Sequence, residues 1–432
     1  MKPAFRKTEY SYRFNADKCH FSPSNSAMKR KGRICLFTIF ALVLRGVCHG
    51  ENVIAASAPN PSTNGSAQRT AVAPSDALSP ATTSVMMGTS RLRPRATYRF
   101  LQSDDVQARP GHPESTSIQT FSTGVTADIG THWSLDYAPT WSFYSNSAFR
   151  DTLEHLISLA GEASYDDWSL RFTQGYAKTS QPLVETAAQT DEESFSASFF
   201  AAYRLSPQTS FTNQVNWSLR LTKIYADAEE WGSSHSLSRR LAPGLDTGLS
   251  LSFGLTELGV AGRTSYTRPS IQLGWRPGDK LKLDFSGGIE LRKGRTDKSE
   301  STTSPVLALT ATYRLWDNTT LRLSHDRGVA PSYFEQLLNK SSSWTAGIDQ
   351  RLFKHFVAAA SWTKGKTSYI SSQTGVRAGR DDTSRSFNGR LGTKLFKRVD
   401  IALVYLTSGN STTAAGFGFG SRQYGAEIGL HF

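Results

Sequence analysis

The sequence predicts an all-β chain, folded as a transmembrane up-and-down antiparallel β-barrel of about 18 strands, with 16 as the alternative. Three observations predict it. Apolar and polar residues alternate over segments of ten residues or more, short polar turns recur every 35 to 44 residues, and aromatic residues collect beside those turns. Strands that cross a bilayer need about 9 to 11 residues, and only a closed sheet satisfies every backbone group there.

The N-terminal part stands apart from this pattern. Residues 1–50 are expected to be an N-terminal extension and a cleavable signal peptide. Met28-Lys29-Arg30-Lys31-Gly32-Arg33 forms a basic n-region, and Ile34 to Leu44 an apolar stretch of h-region length. Cys48 and Gly50 offer small residues for cleavage before Glu51, with Ala56-Ser57-Ala58 as a second candidate, and Met28 is a plausible true start. Of the formal net charge of +13, ten Lys or Arg and two Asp or Glu fall in residues 1–50, leaving only +5 for the rest. The basic excess therefore does not point to a nucleic-acid partner, which would require clustered cations in the mature chain. Cys19, Cys35 and Cys48 all precede the expected cleavage site. Lipidation of Cys48 is disfavoured, because Arg45 and Val47 occupy places where a lipoprotein signal wants Leu and a small residue. Residues 51–91 are rich in Ala, Ser, Thr, Pro and Asn, too poor in apolar surface to offset ordering entropy, and read as a disordered periplasmic linker.

Residues 92–432 carry the barrel. After an opening strand near Leu92 to Leu101, turns are expected around residues 130–132, 166–167, 206–208, 276–280, 317–318, 353–355 and 396–398, with a weaker one within Arg239 to Asp246. Eight short turns imply sixteen strands, and the opening and closing strands bring the total to eighteen. Longer polar segments lie between them: Ser145 to Asp151, Ser180 to Glu193, Gly294 to Thr303, Ser371 to Ser384 and Gly409 to Gly420. Short turns on the periplasmic side and long loops outside are the asymmetry of outer-membrane barrels. Trp133, Trp168, Tyr203, Trp275, Tyr313, Trp316, Phe396 and Phe432 are assigned to an interfacial aromatic girdle. A soluble β-sandwich would also alternate. Its strands average about 5 or 6 residues, however, and its aromatics lie mid-strand rather than beside turns.

In the last segment Tyr424, Ala426, Ile428, Leu430 and Phe432 share one face of an extended strand. Ending on Phe, this segment resembles the C-terminal strand of bacterial outer-membrane β-barrels, which implies the barrel-assembly machinery as a partner. Tyr313 to Ser324 and Arg327 to Ser332 resemble a strand, turn and strand of the outer-membrane β-barrel porin type 2 family. That resemblance implies an outer-membrane location and porin-like character, sometimes in the setting of exopolysaccharide export, and brings no catalytic residue.

Strand parity assigns Arg171, Arg220, Lys282, Asp284, Glu290, Arg292, Arg322, Asp326, Arg390, Lys394 and Glu427 to the lumen. Their basic excess leaves open a weak preference for anions, against the alternative that they pair across strands and keep the lumen wet. His325 and Asp326 are adjacent on one strand and face opposite sides, so they do not suit a catalytic pair. No metal or phosphate-loop signature occurs, no cofactor is expected, and Asp381-Asp382 reads as a solvated loop tip. The expected function is a porin-like channel for passive or weakly selective diffusion of small hydrophilic solutes or saccharides, in contact with membrane lipid and lipopolysaccharide. A non-transporting barrel, an adhesin or an envelope-assembly partner, is the alternative.

Overall fold

The computed structural model describes residues 85–87, 90–259, 262–294, 301–353, 355–371, 379–395 and 398–431. The signal-peptide region, most of the linker, and the girdle positions Phe396 and Phe432 lie outside the described residues.

A short strand β1 (Val85–Met87) precedes the wall. Its first third is β2 (Ser90–Arg109), β3 (His112–Ile129), β4 (Trp133–Tyr144), β5 (Thr152–Tyr165), β6 (Trp168–Leu183) and β7 (Ala188–Ser206). There follow β8 (Thr209–Thr222), β9 (Ala228–Ala242), β10 (Leu245–Leu258), β11 (Gly262–Trp275), β12 (Leu281–Gly294) and β13 (Ser301–Trp316). The wall ends with β14 (Thr319–Pro331), β15 (Leu337–Leu352), β16 (Phe356–Ser371), β17 (Asp381–Leu395), β18 (Val399–Thr412) and β19 (Phe419–His431). Each strand from β2 to β19 pairs antiparallel with its sequence neighbours, and β19 returns to β2 in the register Arg422↔Asp104 through His431↔Arg95. The ring is closed with eighteen staves. β1 pairs with the start of β2, Val85↔Leu92 to Met87↔Ser90, covering the stretch of edge that β19 does not reach.

The strand count settles on eighteen because the weak hairpin near Leu241 is complete, with β9 and β10 paired from Leu245↔Ala242 to Leu258↔Ala228. The short turns fall where alternation breaks in the sequence. The other side of the barrel differs from expectation. Of Ser180 to Glu193, only 184–187 leave the sheet, since β6 and β7 stay paired up to Leu183↔Ala188. Likewise only 413–418 of Gly409 to Gly420 lie outside strands. Of the segments Gly294 to Thr303 and Ser371 to Ser384, residues 295–300 and 372–378 lie outside the described residues. Polar side chains mark where a strand leaves oil, not where its hydrogen-bond ladder ends.

The outward face is apolar. Leu249 opposes Ile271 and Leu237, Leu273 opposes Phe285, and Leu403 opposes Leu391, nearly all with well-exposed side chains. Trp168, Trp275, Tyr313 and Trp316 are exposed beside the short turns, and Trp133 and Tyr203 occupy equivalent ends. Such a contiguous greasy exterior suits lipid rather than water. The inward face is built instead from Ser and Thr pairs, such as Ser210–Ser238 at 2.8 Å, Thr212–Ser236 at 2.6 Å and Thr345–Thr363 at 3.0 Å. Leu251, six residues above the start of β10, tests the lipid-facing assignment. Leu251→Arg should cost about 2–4 kcal/mol, the penalty for a cation near the bilayer midplane, read as a shifted urea midpoint for folding into vesicles.

Candidate functional site: a paired lumen wall under converging loops

By register, the eleven charged residues assigned to the lumen lie on the strand face opposite the exposed apolar side chains, and most are engaged by neighbours. Glu427 on β19 accepts from Arg99 on β2 and, at 3.4 Å, from Arg390 on β17. Lys282 lies 2.9 Å from Asp284, and Arg322 lies 2.8 Å from Asp349. Arg171 sits 6.0 Å from the Phe200 ring centroid. Lys394 occupies the same face of β17, near the short-turn end. His325 stacks on Trp344 at 4.1 Å on the outer face, while Asp326 points the other way, so the two do not converge. Parity applied to β2 and β4 would also have found Arg95 and Asp136, which form a two-pronged pair at 2.7 and 2.8 Å. Arg95 crosses Gly124 to reach it, skipping over β3. Asp128, Asp136 and Asp349 each pair with a basic residue of the same face, Arg93, Arg95 and Arg322.

The wall over β9–β12 is denser. The Tyr266 ring lies flat on Gly254, where a Cβ would collide with it, and its hydroxyl donates to Glu230 at 3.3 Å. The guanidinium groups of Arg292 and Arg268 stand 4.8 and 5.3 Å from that ring's centroid. Between them Glu290 is 0% exposed and pairs with both, accepting from Arg292 Nε at 2.8 Å. Arg292 also donates to Thr256 and Thr264, at 3.1 and 3.0 Å. Removing Glu290 leaves two cations side by side without their shared anion. Glu290→Ala is expected to destabilise the barrel by about 3 kcal/mol, measurable as a lowered urea midpoint in detergent.

The open end opposite the short turns is crossed. The tip between β6 and β7 folds inward, burying Thr186 and Ala187 to 1% exposure. The Glu185 carboxylate accepts from Ser332 Oγ at 2.5 Å, from the Tyr333 amide at 2.8 Å and from Asn339 Nδ2 at 2.8 Å. Those residues belong to the β14–β15 hairpin, eight staves away in a ring of eighteen and so nearly opposite. The Tyr333 hydroxyl donates to Glu192, and Arg220 on β8 lies 3.9 Å from the Tyr333 ring centroid while donating to the Ser332 carbonyl. Burial, together with Glu192, pushes the Tyr333 phenol well above its usual pKa, so it remains a donor.

A second loop set adjoins this clasp. Arg380 donates to the Glu185 carbonyl at 2.8 Å and forks onto Asp382 at 2.9 and 2.6 Å. Its guanidinium stands 4.1, 4.7 and 5.7 Å from the rings of Phe417, Tyr369 and Phe334. The solvated-tip reading of Asp381-Asp382 is therefore corrected for Asp382, which is buried at the start of β17 because Arg380 and Tyr369 hold it. Only Asp381 is exposed. Sequence periodicity carries no signal for such contacts, which join residues 112 to 195 apart.

No family model matches the chain, and no curated protein matches it. Among solved structures, the outer-membrane protein OpdK of Pseudomonas aeruginosa is similar at 12% identity and a TM-score of 0.43, over 79% of this chain and 99% of that one. OccAB4 of Acinetobacter baumannii is similar at 12% identity and a TM-score of 0.43, over 80% and 99%. The siderophore receptor PirA of P. aeruginosa is similar at 11% identity and a TM-score of 0.39, over 81% of each.

Proposed function

We propose that this chain is an outer-membrane channel through which small hydrophilic solutes or saccharides diffuse, with the Glu185 clasp setting the aperture. The observation that carries this reading is the closed eighteen-stave wall, apolar outside and lined by Ser, Thr and paired charges inside. A ring of that size is too wide for its own side chains to fill. The paired charges favour weak selectivity, because cations on this face sit against carboxylates, as in Arg95–Asp136, Arg99–Glu427 and Arg322–Asp349, instead of forming a field of one sign. Lipid and lipopolysaccharide surround the barrel, and β19 is the segment offered to the assembly machinery. The role is non-enzymatic.

The purified protein in a planar bilayer should give stepwise single-channel currents, with reversal potentials near zero in a salt gradient of similarly mobile ions. A strongly displaced reversal potential would contradict weak selectivity. The loops that cross the mouth favour a second reading, a non-transporting barrel that acts as an adhesin or an envelope-assembly partner. Silence from a folded, inserted protein would select it.

A further inference from the structure

The outer face of β16–β19 carries cations where a lipid-facing wall should not leave them unmatched. Lys364 on β16 stands directly opposite Arg385 on β17, and both are exposed. Like charges directly opposite on neighbouring strands repel, so the pairing is unfavourable unless an anion sits between or above them. Lys366 follows two residues up on the same face, and Arg422 on β19 lies on that face two strands from Arg385. Among the described residues none of these four forms an ion pair.

Beside them the wall is notched. Gly409 and Gly420 are paired across β18 and β19, so two outward positions in register carry no side chain. A recess of about 560 Å³ opens there, flanked by Arg385 and Arg422 and floored on its lower side by Phe387 and Trp362. Asp104, opposite Arg422, and Asp105 also reach its edge, so the recess itself carries two carboxylates against two arginines. The positive excess at its rim comes from Lys364, directly opposite Arg385, and Lys366 beside it.

Height identifies what could fill it. Arg385 lies ten residues from the short-turn end of β17, roughly 25 Å along the barrel axis for a tilted strand, which is the height of the apolar band. Below the cations, Trp362, Phe387, Tyr405 and Tyr424 face the same side, an aromatic row at the level of the interface. The notch thus opens at the outer-leaflet headgroups, with acyl-facing surface beneath and phosphate-sized positive charge above.

We infer that this recess binds the phosphorylated sugar headgroup of an outer-leaflet glycolipid, with Lys364 and Arg385 holding the phosphate and the glycine notch admitting the sugar. The inference rests on the membrane-spanning reading. The test is native mass spectrometry of the detergent-solubilised full chain, titrated with bisphosphorylated lipid A and with its dephosphorylated form. Lipid A should bind, and the joint variant Lys364→Ser with Arg385→Ser should weaken it about 30-fold, from the usual contribution of two basic side chains at an anionic surface. Removing two outward cations elsewhere, Lys178→Ser with Arg263→Ser, should leave binding unchanged.

Equal binding of the dephosphorylated lipid, or equal loss in both double variants, would overturn the proposal. Complete displacement by millimolar inorganic phosphate would overturn it in favour of a small-anion site. Normal insertion without any phosphate dependence defeats this inference alone. Failure of the wild-type chain to insert into detergent or bilayer defeats the membrane reading as well.

Discussion

Glu185→Ala is expected to raise the single-channel conductance several-fold and to admit larger solutes in a vesicle-swelling assay. The Glu185 carboxylate is the acceptor for three donors on the opposite side of the ring, and the next two residues, Thr186 and Ala187, are almost fully buried. Hydrogen bonds to a charged group contribute about 1.5–3 kcal/mol each, and donors stranded by the substitution add a further penalty. Losing even about 3 kcal/mol of anchoring moves the closed-to-open ratio by roughly a hundredfold. Glu185→Gln keeps an acceptor oxygen and should fall between the two. The wall pairs without help from this side chain, so both variants should keep the heat-resistant gel mobility of the folded barrel. An unchanged conductance in a folded Glu185→Ala channel would show that the tip does not set the aperture.

Gly425→Val should abolish barrel closure altogether. Gly425 sits at the seam, opposite Leu101, and a Cβ there would collide with the Phe100 carbonyl and stand 3.0 Å from Leu101 Cα. The obstacle is backbone, which cannot rotate away as a side chain can. The seam joins residues more than 300 apart in sequence, so it forms only when the two ends of the sheet meet, and no neighbouring hairpin can compensate for a gap there. The expected result is loss of the heat-resistant band and degradation in cells. Gly278→Ala, in a short turn with open space around it, should fold normally. A folded, conducting Gly425→Val protein would mean that β19 and β2 tolerate a wider spacing than the register describes.

Much of the wall was legible because a two-residue period admits only two faces per strand. Turns at Asp166-Asp167 or Asp317-Asn318 interrupt that period with residues that suit tight bends, and they locate the hairpins within a residue or two. Loop conformation has no such period. Nothing near Glu185 announces that its partners are Ser332 and Asn339, because that contact depends on how two hairpins lean across the mouth. Charge partners fell between these cases. Lys282 and Asp284 are two apart on one strand, whereas Arg95 and Asp136 meet only because Gly124 lets an arginine pass over the intervening strand. The polar stretches misread as loops fail for a related reason, since composition reports the solvent a residue meets and is silent on its backbone.

The tall hairpins β2–β3 and β6–β7, 16 to 20 residues per strand, rise well past the thickness of the lipid as continuous sheet. A protease needs several consecutive residues free to lie extended in its cleft, and the tips of these hairpins, bonded to each other up to Arg109↔His112 and Leu183↔Ala188, leave only a few residues outside the ladder. Trypsin acting on intact cells should therefore spare Lys178, within the β6–β7 ladder, and cut first at Arg150 and Lys223, which lie in gaps between strands. For the same reason, peptide tags should be accepted only in the few gaps between staves, such as 145–151 or 413–418.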